Sequence, residues 1–363
     1  MDVKQVLFMS NGDGEHSYAH TSTVTQKIAS LAKPTIASTV DSLLEEGFFR
    51  CKLLNVADLG CAFGPGTEIF MSNVIEIVQK MCASLNCPTP EFQFYLNDLL
   101  GNDFNALFKS LSNFSQRYES LSCFIMGAPG SFHGRLFPRN WLHFAHSSYS
   151  AHWLSQVPNL MSEEGFALNK GRIYISETSS DVVKGAYLAQ FRADLSTFLK
   201  FRGKEMVNNG RLMLILEGRE DKDFTSQDGS FIWEKLGEAI ADLVSEGFIE
   251  KEKLDTLNVP YYTASSEEIR GIVDEEGSFK IEHMEIMKID RISPDEDPHS
   301  KGRQMAMGIR SFTGSIISHH LGEGIMDRLY GEKLPIILGD DLAKHRRKEV
   351  SIVVVLKKHV PFL

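Results

Sequence analysis

The sequence predicts an α/β fold built on a parallel, doubly wound sheet, with helical material inserted late in the chain. Short apolar, β-rich runs recur along the first 218 residues, and helical hydrophobic patterns separate most of them. This spacing breaks after Gly218, where about 60 residues pass before the next strand-like run and about 60 more before the last. Because open α/β sheets bind ligands at the carboxyl ends of their strands, we expect the inserted helices to close a small-molecule pocket there.

The individual elements follow from these patterns. The strand-like runs span 53–59, 92–98, 121–127, 142–149, 210–218, 279–289 and 350–358. The clearest helical patterns lie at 68–85, 186–207, 233–248 and 266–277. The segment 291–304 contains two prolines and a cluster of charged residues, which predicts a loop.

Composition limits the partners and the compartment. The net charge of −10 argues against a general electrostatic grip on nucleic acid or on an anionic membrane. The five cysteines are an odd number without a C-x-x-C pair, which favours a reducing compartment over a disulfide framework. The N-terminus has no apolar core of a signal peptide, and no run of about 18 apolar residues occurs. We therefore expect a cytoplasmic protein.

A glycine-rich turn follows the first strand-like run, in the sequence V-A-D-L-G-C-A-F-G-P-G at 56–66. It allows a tight structural turn, a phosphate cradle, or a close approach to a nucleoside without phosphate. A P-loop would need a Lys and a Ser or Thr after the last glycine, and the G-x-G-x-x-G spacing of a dinucleotide site is not matched. The phosphate cradle is therefore excluded, and the other two possibilities remain.

Two acids lie at the ends of neighbouring strands. Asp98, after the second strand, is well placed to accept hydrogen bonds from both hydroxyls of a ribose. Asp58, in the first, can hold an ammonium group or a loop amide, although it can also cap the following helix, and Asp98 can also be a simple turn acid. Together with the turn at Ser131 and Phe132 they favour a nucleoside site. S-adenosylmethionine fits best because it joins adenosine to an amino acid and carries no phosphate.

Several longer motifs point in the same direction. They are S-Y-A at 17–19, A-D-L-G-C at 57–61, L-N-D-L at 96–99, G-N-D-F-N at 101–105, P-G-S-F at 129–132, R-L-F-P at 135–138, H-S-S-Y at 146–149, W-L-S-Q-V-P at 153–158 and N-K-G at 169–171. Through them essentially the whole chain resembles the plant SABATH-type S-adenosylmethionine-dependent methyltransferases, which methylate salicylate, benzoate, jasmonate and the xanthine alkaloids. The stretches 6–15, 130–140, 147–154 and 252–260 look most like the caffeine and theobromine synthase subgroup.

The resemblance implies a seven-stranded Rossmann-like methyltransferase sheet with an inserted α-helical cap, and a homodimer. The chain then divides into three parts. They are an N-terminal lid segment at 1–50, a methyltransferase core at 51–218 plus 279–289 and 350–363, and a helical cap over the active site at 219–278 plus 290–349.

The resemblance also assigns site residues by position. The S-adenosylmethionine site would use Tyr18, Ser22, Asp58, Cys61, Gly66, Asp98, Leu99, Ser131, Phe132, Ser147 and Ser148. The acceptor site would use Tyr18, Thr21, Thr25, Tyr149, His152, Trp153 and Trp233, with Tyr149, His152 and Trp153 as catalytic residues. A Mg²⁺ ion without a catalytic role is implied near Asn169, Asp255, Leu257 and Asn258. The chain departs from the family pattern at Thr21, Thr25, Gly66 and 310–315.

Methyl transfer from a sulfonium is an in-line displacement that needs a positioned nucleophile in a dry site. A xanthine N–H must also lose its proton, whereas a carboxylate is already ionised. We expect a xanthine N-methyltransferase, with a carboxyl O-methyltransferase of salicylate- or benzoate-type acids as the alternative. A relative that binds S-adenosylmethionine without turnover is a third possibility. A purine needs several hydrogen-bond partners, whereas benzoate needs an apolar pocket with one group that binds its carboxylate. The polarity around Thr25, Trp233 and 307–315 is expected to discriminate between these two acceptor classes.

Overall fold

The strand-like runs form one sheet in the computed structural model, which describes residues 2–10, 12, 14, 17–48, 51–220 and 229–359. The lid, cap and core ranges of the sequence analysis, and the stretch 6–15, therefore include some residues outside the described ones. The strands are β1 (Leu53–Leu59), β2 (Glu91–Asn97), β3 (Cys123–Gly127), β4 (Leu142–Ser148), β5 (Met206–Arg219), β6 (Ala264–Ser265), β7 (Phe279–Asp290) and β8 (Lys348–Lys358).

The helices flank the sheet and cover its carboxyl edge. They are α1 (Val3–Val6), α2 (Tyr18–Thr21), α3 (Thr23–Leu31), α4 (Lys33–Glu45), α5 (Pro65–Ser84), α6 (Phe104–Ser110), α7 (Ser112–Arg117), α8 (Asp181–Glu205), α9 (Phe231–Ser245), α10 (Lys251–Thr256), α11 (Ser266–Glu276), α12 (Pro298–Leu321) and α13 (Leu334–Lys344). Short 3₁₀ turns occur at Glu119–Leu121 and Glu323–Ile325, and a π-helical turn at Arg328–Lys333.

Seven strands lie side by side in the order β3-β2-β1-β4-β5-β8-β7, and the two-residue β6 pairs with the end of β5. The first five are mutually parallel, as the sequence predicts, but β8 runs antiparallel to both of its neighbours. The fold class is thus confirmed, with one reversed strand that alternation of strands and helices does not reveal. The reversal has a consequence for the site, because it places the start of β8 beside the end of β5.

Both faces of the sheet are buried, as the continuous apolar runs require. In β5, Leu212, Leu214 and Leu216 point to one core, and Met213 and Ile215 to the other. The first core packs under helices including α8, α9, α12 and α13, and the second under α3, α4 and α5.

The segment 291–304 is only partly a loop, because helix α12 begins at Pro298. Asp297 caps this helix by accepting a 2.7 Å hydrogen bond from the Ser300 amide, and Pro298 occupies the first helical turn, where it needs no amide donor. The proline that suggested a loop therefore marks the start of a helix. Helix α11 packs on α8, β7 and β6.

None of the described helices is long and apolar enough to cross a membrane.

Candidate active site

A cavity of about 380 Å³ opens at the carboxyl edge of the sheet, within the volume range of small-molecule sites. The loops that follow β1, β2, β3 and β4 form its base, together with the end of β5. The N-terminal segment and helix α12 cover it from the other side. Its position is the one expected for an open α/β sheet.

Most of the predicted site residues line this cavity. They are Tyr18, Thr21, Ser22, Thr25, Asp98, Leu99, Ser131, Phe132, Tyr149, His152 and Trp153. The others lie close behind the wall or at the start of α5, and they do not line it: Asp58, Cys61, Gly66, Ser147, Ser148 and Trp233. Among these, Ser147 donates a 2.9 Å hydrogen bond to the Leu59 carbonyl and so fastens β4 to β1.

One position of the glycine turn requires a glycine because of the packing of the protein itself. Gly60 has a φ of +75°, and a Cβ atom there would lie 2.3 Å from the hydroxyl oxygen and 2.4 Å from the Cβ of Ser150. The Ser150 hydroxyl in turn donates a 2.9 Å hydrogen bond to the Gly60 carbonyl. A Cβ on Gly66, in contrast, would meet nothing within 4 Å. Gly60 therefore serves a tight turn that also lines the cavity, and a close approach to a nucleoside at this turn stays a prediction.

Asp98 closes the same turn from the side of β2. Its carboxylate accepts hydrogen bonds of 2.7 Å from the amides of Ala62 and Leu99. Burial raises the pKa of this carboxyl group to about 6, although the two amides oppose the shift. Since each carboxylate oxygen has two lone pairs, Asp98 can still accept two further hydrogen bonds from a ligand in the cavity.

Asp58 is engaged within the protein. One carboxylate oxygen lies 2.8 Å from Nδ1 of His146, and the other accepts a 2.8 Å hydrogen bond from the Thr67 hydroxyl. The His146 ring stacks on Phe70 with the ring centroids 4.1 Å apart. These contacts tie β1, β4 and α5 together, so that Asp58 supports the turn from behind.

An aromatic wall forms one end of the cavity. Trp153 meets Tyr261 edge to face with the ring centroids 4.8 Å apart, and Trp233 packs behind both. Phe312 of α12 meets Trp153 at 6.3 Å. Trp233 thus acts on the cavity through Trp153. Such a wall suits a flat ring.

His152 is buried beside this wall and is neutral. Burial lowers the pKa of its imidazole to about 3. Nδ1 accepts a 3.0 Å hydrogen bond from the amide of Glu217, so the proton of the neutral ring is on Nε2. Tyr149 contacts this ring edge to face at 5.7 Å and has a φ of +54°, a left-handed conformation that bulky residues rarely adopt outside functional sites.

Two of the departures from the family pattern, Thr21 and Ser311, contact each other where the N-terminal segment meets α12. Thr21 donates a 2.8 Å hydrogen bond to the Ser311 hydroxyl, and the Ser10 amide donates at 2.7 Å to the Ser311 carbonyl. Ser315 donates at 3.0 Å to the Phe8 carbonyl. The altered residues therefore fasten the cover of the cavity.

The sequence analysis missed a charged cluster that lines the cavity below the aromatic wall. We call Glu217, Arg291 and Glu349 the acidic floor. A nitrogen of Arg291 lies 2.6 Å from one oxygen of Glu349 and 3.4 Å from one of Glu217. Tyr149 donates to Glu349 at 3.2 Å, and Tyr261 donates to Glu217. A charged residue at the end of an apolar strand, as in M-L-I-L-E, was the available signal.

The residues assigned to Mg²⁺ use their oxygens within the protein. Asn258 accepts a 3.0 Å hydrogen bond from the Asn169 amide, and Asp255 accepts one at 2.8 Å from the amide of Gly171. Leu257 lies in the turn after α10, and its amide donates to the Lys253 carbonyl. Among the described residues, no three His, Cys, Asp or Glu side chains are grouped so as to hold a metal ion.

The strand order, the glycine turn and the cavity at the carboxyl edge define a Rossmann-like methyltransferase fold. Comparison with known proteins agrees. A family model described as SAM dependent carboxyl methyltransferase matches residues 4–359. A structure of loganic acid methyltransferase with SAH has a TM-score of 0.87 and 33% identity, covering 97% of this chain and 99% of that one.

Two curated relatives are similar over nearly their whole length. A 7-methylxanthine methyltransferase of Camellia ptilophylla is 50% identical over 99% of both chains. A 3,7-dimethylxanthine N-methyltransferase of Camellia sinensis var. assamica is 50% identical over 99% of this chain and 98% of its own. The chain belongs to the SAM dependent carboxyl methyltransferase family and is an S-adenosylmethionine-dependent methyltransferase.

Proposed function

We propose that the enzyme methylates a ring nitrogen of a xanthine or methylxanthine. The observation that carries this proposal is the acceptor end of the cavity, where an aromatic wall meets the polar groups of Tyr149, His152 and Glu217. A purine needs such a set of hydrogen-bond partners, whereas benzoate needs an apolar sleeve. The names of the two xanthine methyltransferase relatives agree with it.

The residues of the cavity fit the methyl donor. When bound, S-adenosylmethionine supplies an electrophilic methyl group. In our proposal Asp98 accepts the ribose hydroxyls, and Tyr18, Ser22, Leu99, Ser131 and Phe132 form the rest of that end of the cavity. Burial raises the pKa of Tyr18, which therefore stays an uncharged hydrogen-bond donor at neutral pH. The positions behind the wall, such as Asp58 and Ser147, hold these residues in place.

Trp153 and His152 position the acceptor in this proposal. The indole packs against the flat ring, and the neutral imidazole of His152 forms the adjoining polar part of the cavity. Tyr149 lies at the junction of the two ends of the cavity, while Thr21 and Thr25 lie at its edge. Alignment of the nitrogen with the methyl group and exclusion of water are what the reaction requires from the protein.

Transfer of a radiolabelled methyl group tests the proposal on a panel of xanthine, its three monomethyl derivatives, theobromine, salicylate and benzoate. We expect product from the purines, lost in Trp153→Ala. Trp141→Ala is the matched control, because Trp141 is half exposed and lies outside the cavity. Turnover of the acids alone would assign the enzyme to carboxyl O-methylation. Binding of S-adenosylmethionine without turnover of any acceptor would indicate the third possibility.

We further propose that the protein is a cytoplasmic homodimer and that its lid, core and cap divide as the sequence indicates. The basis is the resemblance to the family together with composition. Light scattering on the purified full chain tests the dimer, and a fluorescent fusion in plant cells tests the compartment. A Mg²⁺ ion at Asn169 or Asp255 would bind through oxygen lone pairs that their present hydrogen bonds leave free. Calorimetric titration with MgCl₂ decides that point.

A further inference from the structure

The acidic floor is brought together by the reversed strand β8. Glu217 pairs with Ser351 across β5 and β8, and Glu349 pairs with Ile289 across β8 and β7. Because side chains alternate along a strand, Glu349 and Ser351 point to the same side, toward Glu217. Arg291 follows directly after β7 and reaches both carboxylates. Three strand ends therefore place two acids and one guanidinium at the carboxyl edge.

The floor belongs to the acceptor end of the cavity. The three side chains are almost fully buried from outside solvent, yet all of them line the cavity. Tyr261 links the floor to the aromatic wall, since its ring packs on Trp153 and its hydroxyl donates to Glu217. The amide of Glu217 also holds His152. A ring held against Trp153 thus lies beside a carboxylate.

The floor has no cation to spare for an acidic ligand. Its one guanidinium serves two carboxylates, and burial together with the charge of Glu349 raises the pKa of Glu217 to about 8 against the opposing effect of Arg291. Two lysines also line the cavity, Lys4 of α1 and Lys301 of α12. The ammonium nitrogen of Lys301 is already 3.2 Å from a carboxylate oxygen of Glu296. A carboxylate on the ligand would therefore meet repulsion here above about pH 8, and below that pH it would find only a guanidinium that is already paired with Glu349.

We propose that Glu217 determines acceptor specificity: its carboxyl group accepts a hydrogen bond from a ring N–H of a nitrogen heterocycle, and the acidic floor disfavours acceptors that carry a carboxylate. This inference rests on the proposed function and deepens it. It assigns the choice between the two acceptor classes to the ends of β5, β7 and β8. The predicted discriminators lie around the same part of the cavity. Thr25 lies at its edge, Trp233 packs behind Trp153, and Phe312 of the stretch 307–315 packs against Trp153.

The test compares kcat/KM for two acceptors of similar size in the full-length enzyme and in Glu217→Gln. The pairs are 7-methylxanthine against salicylate, and benzimidazole against benzoate. The assay is run at pH 9, above the pKa of about 8 of Glu217, so that its carboxyl group is ionised. Loss of one charge-assisted hydrogen bond and of one repulsive charge should then lower the heterocycle-to-acid ratio at least tenfold, mainly through KM. Affinity for S-adenosylhomocysteine should stay within about twofold, which shows that the variant is folded.

Glu205→Gln is the matched control, since Glu205 is also buried against an arginine, Arg202, but lies outside the cavity. It should lower the melting temperature and leave the ratio unchanged. A ratio that moves less than tenfold in Glu217→Gln overturns the inference. If the wild-type enzyme methylates no xanthine, the proposed function fails, and the benzimidazole-to-benzoate ratio still decides the role of Glu217. If turnover is too slow, calorimetric binding of the same pairs to the S-adenosylhomocysteine complex gives the ratio.

Discussion

Replacement of Gly60 by alanine tests the explanation given for the glycine turn. The new methyl group would lie 2.3 and 2.4 Å from two atoms of Ser150, one of which is its Cβ and cannot rotate away. Alanine would also have to adopt a φ near +75°. The left-handed conformation costs about 1–2 kcal/mol and the overpacking about 1–3 kcal/mol. We therefore expect Gly60→Ala to lose about 2–5 kcal/mol of the free energy of unfolding.

Thermal unfolding followed by circular dichroism measures this loss. With an unfolding entropy of about 2.1 cal/mol/K per residue, the melting temperature of a chain of this length should fall by about 3–7 °C. Gly66→Ala is the control in the same loop. Its methyl group meets nothing within 4 Å, and residue 66 lies in the first turn of α5, where alanine is the better helix former. Its melting temperature should stay level or rise by about 1 °C.

A double-mutant cycle separates the two costs. Ser150→Gly removes both clashing atoms, so in the Gly60→Ala background it should restore the overpacking part, about 1–3 kcal/mol, and leave the cost of the positive φ. Additivity within about 0.5 kcal/mol would refute the proposed clash. A Gly66→Ala variant that binds S-adenosylmethionine more weakly at an unchanged melting temperature would show that the cofactor approaches residue 66.

Three further outcomes follow from buried charges. Asp98→Asn should weaken S-adenosylhomocysteine binding about 10- to 100-fold by calorimetry, and wild-type affinity should fall below about pH 6, where Asp98 takes up a proton, while the variant lacks this dependence. The pKa of His152 in the folded protein is about 3, below its value in the unfolded chain, so on acidification the unfolded state takes up this proton first. A change from pH 7 to pH 5 should therefore lower the free energy of unfolding, measured with urea, by about 2 kcal/mol. His152→Gln should not show this loss. Arg202→Met leaves Glu205 buried without its 2.7 Å partner and should cost about 3–5 kcal/mol in the same unfolding assay, and a loss below 1 kcal/mol would contradict a tight buried pair.

Buried strands could be predicted because both of their faces are apolar. The run 210–218 lies within β5, which extends back to Met206. The polar residues Asn208 and Asn209 hide that beginning, and Met206 and Val207 also fit the helical pattern that precedes it. The start of α12 was missed for a related reason, since Pro298 interrupts a strand or a helix interior but not a first helical turn.

The end of the cavity that we assign to the methyl donor is built from residues that lie close together in the sequence, which explains why sequence patterns indicated it. Asp98 and the glycine turn are separated by one helix, and parallel strands bring their ends together. The acidic floor joins Glu217 to Glu349 through an antiparallel pairing across 132 positions. No local sequence pattern encodes such a pairing, so the sequence alone did not indicate that these charged residues lie together.

The two ends of the cavity are thus built from different parts of the chain, and this separation bears on how members of one family come to use different acceptors. A family model named for carboxyl methylation matches this chain, and relatives named for xanthine methylation match it at 50% identity. In our proposal both are compatible, because the turn that receives the methyl donor follows β1 and β2, whereas the acidic floor beside the acceptor is formed by the ends of β5 and β7 and the start of β8. A change of charge at the end of β5 would then alter the part of the cavity that we assign to the acceptor and leave the turn around Gly60 and Asp98 unchanged. Family membership therefore fixes the methyl donor, and the charge balance around Arg291 is where the acceptor is chosen in our proposal.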